Sequence, residues 1–187
     1  TDRLDPVGEG DVDIGIRYGR GQWPGTESEL LLQDEVFPVC APSMINGSVP
    51  LREPRDLARF SLISDMDWRR AQFDFWPRWL AAAGVPDLEL KTNLTFNYSN
   101  LMIQAAIDGL GIALGNTMLA GDDLKTGRLI QPFPQTVVLE TGYYLIYGKG
   151  AMRQAKVKAF RDWIVAQMAA FLEKVDGVGT TPAKEGV

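Results

Sequence analysis

Three consecutive polar residues, Asn97, Tyr98 and Ser99, stand where a predicted strand meets a predicted helix. The strand is predicted over residues 92–96, and either Asn97 or Ser99 can cap the helix by accepting a hydrogen bond from an amide of its first turn. Free amides at a helix N-terminus attract polar and anionic groups, so this junction is a candidate binding site for a small molecule. An ordinary packing unit with a well-capped helix fits the same pattern.

The stretch from residue 96 to residue 115 positions this junction. Apolar residues recur at helical spacing, and they are Leu101, Met102, Ala105, Ala106 and Leu110. Gly109 and Gly111 are predicted to stop the helix, and residues 112–114 form a short apolar strand. Strand, helix and strand make one βαβ unit, and such units bind ligands at the carboxyl ends of their strands.

Composition excludes several classes of function. The chain has 187 residues, a net charge of −5 and no histidine. The acidic balance argues against direct contact with a nucleic-acid backbone, and the lack of histidine removes His-based triads and His metal sites. We expect no cofactor and no metal site. Cys40, the single cysteine, lies in an apolar run and is predicted to be a buried, inert thiol, which suits a cytoplasmic protein.

Strands and helices alternate along the chain, which predicts an α/β fold. Strands are predicted over residues 12–17, 29–40 with an interruption at 33–35, 61–64, 88–96, 129–130 and 142–147, and helices over 51–60, 73–83, 117–124 and 155–174. The aromatic face of the helix at 73–83 is predicted to be core. Residues 18–25 are predicted to be a loop carrying Tyr18.

Two proline-flanked strands, around residues 37–42 and 142–147, predict two crossings between two lobes. Residues 1–40 and 142–174 then form the first lobe, and residues 41–141 form the second. Residues 175–187 are small and polar and are predicted to be a disordered tail. A two-lobed α/β protein with a twice-crossed hinge is typical of proteins that hold a ligand between their lobes.

Without histidine, acid–base catalysis would need paired carboxylates such as Asp65 with Asp67, or Asp122 with Asp123. Both pairs are interpreted as solvated charges in loops or at helix starts. We therefore predict that the chain is not an enzyme.

The sequence resembles the effector-binding domain of LysR-type transcriptional regulators, in particular the glycine-cleavage and β-lactamase activators. The matching stretches include GDVDIGIRYGRGQWPG, FWPRWLAAAG, FNYSNLMIQAAIDGLGIALG, LKTGRLIQPF and GYYLIYGKG, in the expected order over residues 8–168. The resemblance implies a fold like that of type 2 periplasmic binding proteins, with two Rossmann-like lobes and a small-molecule effector between them. The domain normally opens with a strand-helix-strand unit, and we expect that unit to be absent because Thr1 matches its end.

The resemblance also implies the site and the partners. Ser99 and Tyr143 match pocket-facing positions, with Asn97, Tyr98 and Tyr18 beside them. We expect a ligand-sensing regulatory domain that forms a homodimer or homotetramer and reaches DNA only through a winged helix-turn-helix absent from this chain. A solute-binding protein of a transporter shares the fold and is the alternative.

Overall fold

The computed structural model describes Val7 and residues 12–45, 47, 49–65 and 75–175. Its strands are β1 (Ile14–Gly19), β2 (Thr26–Val39), β3 (Leu62–Asp65), β4 (Thr92–Phe96), β5 (Ile112–Gly115) and β6 (Val137–Gly148). Its α-helices are α1 (Pro42–Ile45), α2 (Trp76–Ala82), α3 (Ser99–Ile107), α4 (Thr117–Lys125) and α5 (Ala155–Val175). Two short 3-10 helices cover Pro54–Arg59 and Ala151–Arg153. Strands and helices therefore alternate, as predicted for an α/β fold.

One compact unit consists of Thr1–Asp34 and Val138–Lys174. Its strands lie in the order β1-β6-β2, and β1 runs antiparallel to β6 from the pair Ile14 and Tyr147 to the pair Gly19 and Gly142. The helix α5 is tied to β2 by Arg161, whose Nε donates to Glu29 Oε2 at 2.9 Å. Arg161 Nη2 also donates to Glu29 Oε1, and a planar guanidinium suits this two-point contact with a carboxylate.

The other compact unit contains Glu35–Val137. Its strands lie in the order β2-β5-β3-β4, where β5 is antiparallel to the end of β2 and β3 is parallel to both β5 and β4. Parallel neighbours need crossover connections, and the helices α2 and α3 lie in those connections. This unit therefore holds the predicted βαβ arrangement of β4, α3 and β5.

Two clusters of buried side chains form the core of this second unit. Ile63 and Ala113 belong to one cluster, whereas Leu62 and Ile112, their neighbours in sequence, belong to the other. Successive residues of a strand point to opposite faces, so the two clusters cover the two faces of the sheet. The first cluster includes buried residues of α3 and α4, and the second includes the tryptophans of α2.

Several predicted boundaries and exposures differ from the structure. The strand predicted with an interruption is continuous as β2, although the division between the units falls after Asp34. The edge strand predicted at residues 129–130 is a single bridge between Ile130 and Cys40. Leu101 and Leu110 belong to the apolar pattern that predicts α3, yet Leu101 is 48% exposed, and Leu110 lies beyond the end of α3 and is 54% exposed. Helical spacing identifies α3 correctly but overestimates the width of its buried face.

The chain passes from the first unit to the second after Asp34 and returns to the first after Val137. The lobes predicted from the sequence, residues 1–40 with 142–174 and residues 41–141, remain a prediction. The predicted tail at residues 175–187 lies outside the described residues except for Val175, the last residue of α5. No helix within the described ranges is both long enough and apolar enough to span a membrane.

We expect Cys40 to be unreactive towards a thiol reagent while the protein is folded. Its side chain is 0% exposed, and burial raises the pKa of the thiol to about 12. The thiolate is the reactive form and is therefore scarce near pH 8. The measurement is labelling with Ellman's reagent in buffer and in urea, with reaction only in urea as the expected result. Rapid labelling of the folded protein would show instead that the thiol is accessible.

Candidate functional site

Tyr18 lies on β1, directly opposite Tyr143 of β6. The prediction that a loop begins at Tyr18 is wrong, because β1 continues to Gly19 and pairs there with Gly142. The two tyrosine rings have centroids 5.2 Å apart and are tilted by 60°. Two of the five candidate site residues are therefore neighbours across a strand pair.

The Tyr18 hydroxyl joins a cluster of polar side chains from three strands. It donates a hydrogen bond to Asp34 Oδ2 of β2 at 2.7 Å, and it lies 2.7 Å from Thr141 Oγ1 of β6. Asp34 is only 5% exposed, whereas Tyr18 is 42% exposed. The cluster thus connects a buried carboxylate to a phenol that reaches the surface of this unit.

Burial is the largest influence on the ionisation of Tyr18, and it raises the pKa of the phenol above its ordinary value. The hydrogen bond with Thr141 lowers that pKa, while the hydrogen bond to Asp34 and the negative charge of Asp34 raise it. The effects that raise the pKa are larger in sum. Tyr18 is therefore a neutral hydrogen-bonding group at physiological pH.

Sequence reasoning missed Asp34 and Thr141. The nearest signal is the polar run Gln33, Asp34 and Glu35, which has the pattern of an interruption within an apolar strand. Gln33 Nε2 donates to the backbone oxygen of Thr141 at 2.9 Å and also to the backbone oxygen of Leu139. Gln33 therefore links β2 to β6 beside the tyrosine pair.

The other three candidate residues lie together between β4 and α3 in the second unit. The predicted cap by Asn97 or Ser99 is wrong, because the N-cap residue is Tyr98 and its side chain makes no capping hydrogen bond. The extended backbone of Tyr98 instead places its carbonyl oxygen 3.1 Å from the Leu101 nitrogen and 3.2 Å from the Met102 nitrogen. Ser99 is half-buried, whereas Asn97 and Tyr98 are exposed.

The carboxylates considered for catalysis have different surroundings from those predicted. Asp123 is 8% exposed and forms an ion pair with Arg128, so the interpretation of this residue as a solvated charge is wrong. Asp122 is exposed, Asp65 ends β3, and Asp67 lies outside the described residues. Within the described part of the chain, no group of three or more Cys, Asp or Glu side chains is placed to hold a metal ion.

Residues 1–169 match the family described as the LysR substrate binding domain, and the chain belongs to this family. Effector-binding domains of LysR-type regulators have a fold like that of type 2 periplasmic binding proteins. The predicted fold class and the predicted family resemblance are therefore confirmed.

Relatives of this chain include transcriptional activators. It is 36% identical over 174 residues to the glycine cleavage system transcriptional activator of Escherichia coli K12, covering 93% of the chain and 55% of that protein. It is 33% identical over 169 residues to the transcriptional activator AmpR of Enterobacter cloacae, covering 90% of the chain and 55% of that protein. The chain thus spans about half the length of these relatives.

Solved structures with the same fold include two effector domains of AmpR. The effector domain of Pseudomonas aeruginosa AmpR has a TM-score of 0.69 and 28% identity, over 85% of this chain and 73% of that one. The effector-binding domain of Citrobacter freundii AmpR also has a TM-score of 0.69, with 25% identity over 85% of this chain and 76% of that one. These two likenesses place the chain among ligand-sensing regulatory domains.

Proposed function

We propose that this chain is the ligand-sensing part of a LysR-type transcriptional regulator and that a small polar effector controls transcription by the whole protein. The observation that carries the proposal is the family match over residues 1–169, together with relatives that are transcriptional activators. An effector acts by binding one conformation of the regulator better than another, which shifts the population between them. These relatives favour a regulator over a solute-binding protein of a transporter.

The proposed effector-binding residues form two groups, Tyr18 with Tyr143 and Asn97 with Tyr98 and Ser99. Hydroxyl and amide groups in both groups can donate and accept hydrogen bonds, which suits a polar ligand such as an amino acid or an organic acid. The contact between the rings of Tyr18 and Tyr143 holds one group in place. The extended backbone of Tyr98, at the junction of β4 and α3, positions the other group.

The remaining features of the whole protein belong to the same proposal. A winged helix-turn-helix outside this chain binds DNA, the protein forms a homodimer or homotetramer, and it acts in the cytoplasm without catalysing a reaction. Support comes from the relatives, which are named as transcriptional regulators and not as enzymes. Their greater length leaves room for a further domain.

A thermal-shift screen against amino acids, organic acids and cell-wall fragments tests the proposal. A ligand at about 100 times its dissociation constant stabilises a protein by about 2.7 kcal/mol, which gives a melting-temperature shift of several degrees. We expect Ser99→Ala and Tyr143→Phe each to weaken binding of the selected compound by about tenfold, because each removes one hydrogen-bonding hydroxyl. In a reporter strain, the same compound should change transcription by the whole regulator.

The matched control is Tyr144→Phe, which removes a hydroxyl from the next residue of β6. Neighbouring residues of a strand point to opposite faces, and the Tyr144 ring packs edge-on against Trp23 at 5.6 Å. This variant should bind the compound as the wild type does. Equal affinity in all three variants would contradict the proposed site, and chemical conversion of the compound would favour an enzyme.

A further inference from the structure

Two hydroxyl groups and one carboxyl group in the first unit form a hydrogen-bond chain, and their protons can be arranged along it in only one direction. The Tyr18 hydroxyl lies 2.7 Å from Asp34 Oδ2 and 2.7 Å from Thr141 Oγ1. A phenol has one proton, and an ionised carboxylate can only accept. The Tyr18 proton therefore points to Asp34, and the contact with Thr141 requires a proton from Thr141.

This direction determines what Thr141 can offer to a ligand. Its hydroxyl proton is used in the bond to Tyr18, so its oxygen presents lone pairs and acts as an acceptor. Among the described residues, the side chain within hydrogen-bond distance of this oxygen is that of Tyr18, and the Tyr18 proton is already used in the bond to Asp34. A ligand group that meets Thr141 Oγ1 must therefore supply a proton.

The hydrogen-bond chain from Thr141 through Tyr18 to Asp34 is held in place by the strands β6, β1 and β2. Asp34 is 5% exposed, and the neighbouring Gln33 donates to the backbone oxygen of Thr141 at 2.9 Å. Gly142 allows β6 to approach β2, since a Cβ at this position would lie 2.6 Å from the backbone oxygen of Leu32. The buried carboxylate of Asp34 thus sets the direction of both hydrogen bonds.

Thr141 also lies beside the proposed effector-binding residues. Residues two apart on a strand share one face, so Thr141 and Tyr143 face the same side of β6. The ring of Tyr18 contacts Tyr143, and its hydroxyl contacts Thr141. A ligand that reaches Tyr143 is therefore within reach of the acceptor on Thr141.

Building on the proposed function, we propose that Asp34 is a specificity-determining residue that makes this site select effectors with a nitrogen donor, as in α-amino acids, over simple carboxylic acids. Asp34 acts through Tyr18 and Thr141 and is not itself a ligand contact. The N–H group of the effector donates to Thr141 Oγ1. An acid with only acceptor groups leaves that oxygen facing another acceptor, and Thr141 Oγ1 then loses the hydrogen bond that it accepted from water.

Matched pairs of compounds test this selectivity by isothermal titration calorimetry on the whole chain. The pairs are alanine with propanoate, phenylalanine with 3-phenylpropanoate, and so on through the amino acids and their deaminated acids. Within each pair of compounds that binds, we expect the amino acid to bind about tenfold more tightly than its deaminated acid, which is the effect of one hydrogen bond. Thr141→Val should remove that preference, and Thr141→Ser should keep it.

Asp34→Asn is the sharper variant because an amide can donate as well as accept. Its N–H group can donate to the Tyr18 oxygen, which allows the Tyr18 proton to turn to Thr141 and the Thr141 proton to turn to the ligand. The preference for the amino compound should then disappear or reverse. If this variant does not fold, as judged by circular dichroism, the Thr141 pair of variants decides. Thr126→Val, at the end of α4 in the other unit, is the control and should keep the wild-type preference.

Each outcome separates this inference from the proposed function. Amino and deaminated compounds that bind equally well would overturn the inference and leave the proposed function standing. A preference that survives in Thr141→Val or in folded Asp34→Asn would also overturn it. If no compound binds and none alters transcription in the reporter strain, the proposed function fails and the inference fails with it.

Discussion

Replacement of Trp79 by alanine should lower the free energy of unfolding of the second unit by about 4 kcal/mol, within the range for removing a buried aromatic side chain. Trp79 is 0% exposed. Its ring lies 6.0 Å from Trp76 and 5.7 Å from Phe133, and its Nε1 donates to the Gln135 backbone oxygen at 2.8 Å. The change removes the ring contacts and the hydrogen bond and leaves a cavity.

Urea unfolding followed by circular dichroism measures the effect. Trp163→Ala is the matched control, because Trp163 on α5 is 54% exposed and its loss should change stability by less than about 1 kcal/mol. Trp79→Phe should fall between the two, since it keeps an aromatic ring but removes the hydrogen bond to Gln135. A Trp79→Ala variant as stable as the Trp163→Ala variant would show that the α2 tryptophans do not form a core.

The aromatic spacing of α2 is enough to predict this core because burial is a property of one helix face. Trp76, Trp79 and Leu80 are all buried as expected. The same spacing argument overestimates the buried surface around α3, because Leu101 and Leu110 are about half exposed. Spacing shows which residues share a face, but tertiary contacts decide how far the buried face extends.

Helix starts are harder to place than helices. Asn97 and Ser99 both have good capping chemistry, yet the backbone begins α3 after Tyr98, which has no such chemistry. In contrast, α4 has a conventional cap that the sequence reasoning overlooked, since Asn116 Oδ1 accepts from the Leu119 nitrogen at 2.9 Å. Tertiary packing can outweigh these capping preferences, so the preferences alone do not decide at which residue a helix starts.

Only part of the candidate site can be predicted from the sequence. Tyr18 and Tyr143 follow from the family resemblance, and they are neighbours across β1 and β6. The hydrogen bonds of Tyr18 to Asp34 and Thr141 join residues 16 and 123 positions away in the chain. No local pattern predicts such contacts, because they depend on the order and register of three strands.

Replacement of Gly111 by alanine should destabilise the second unit by about 3 kcal/mol, as expected when an extra group is forced against a packed backbone. A Cβ at this position would lie 2.4 Å from the Ser61 backbone oxygen and 2.9 Å from Ile63 Cγ1. The adjacent Ile112 nitrogen donates to the same Ser61 oxygen at 2.9 Å, so β5 cannot move away without losing its contact with the segment before β3.

Gly111 thus has a different role from Gly109, although the sequence suggests that both end α3. Gly109 alone has the left-handed conformation of a helix C-terminus, with φ of +75°, and its nitrogen donates to the Ala106 oxygen at 3.1 Å. Gly111 is needed for close approach between two segments of backbone. The requirement for Gly111 is invisible in the sequence because Ser61 is 50 positions away.

Gly127→Ala is the informative control, measured by the same urea unfolding. Gly127 has φ of +74° and open space where the alanine methyl group would lie, so alanine there should be destabilising only through its backbone, by about 1 kcal/mol. The larger loss at Gly111 would therefore come from crowding against Ser61. Equal losses at the two glycines would mean that β5 shifts freely, and the packing of the βαβ unit that carries Ser99 would be looser than the structure indicates.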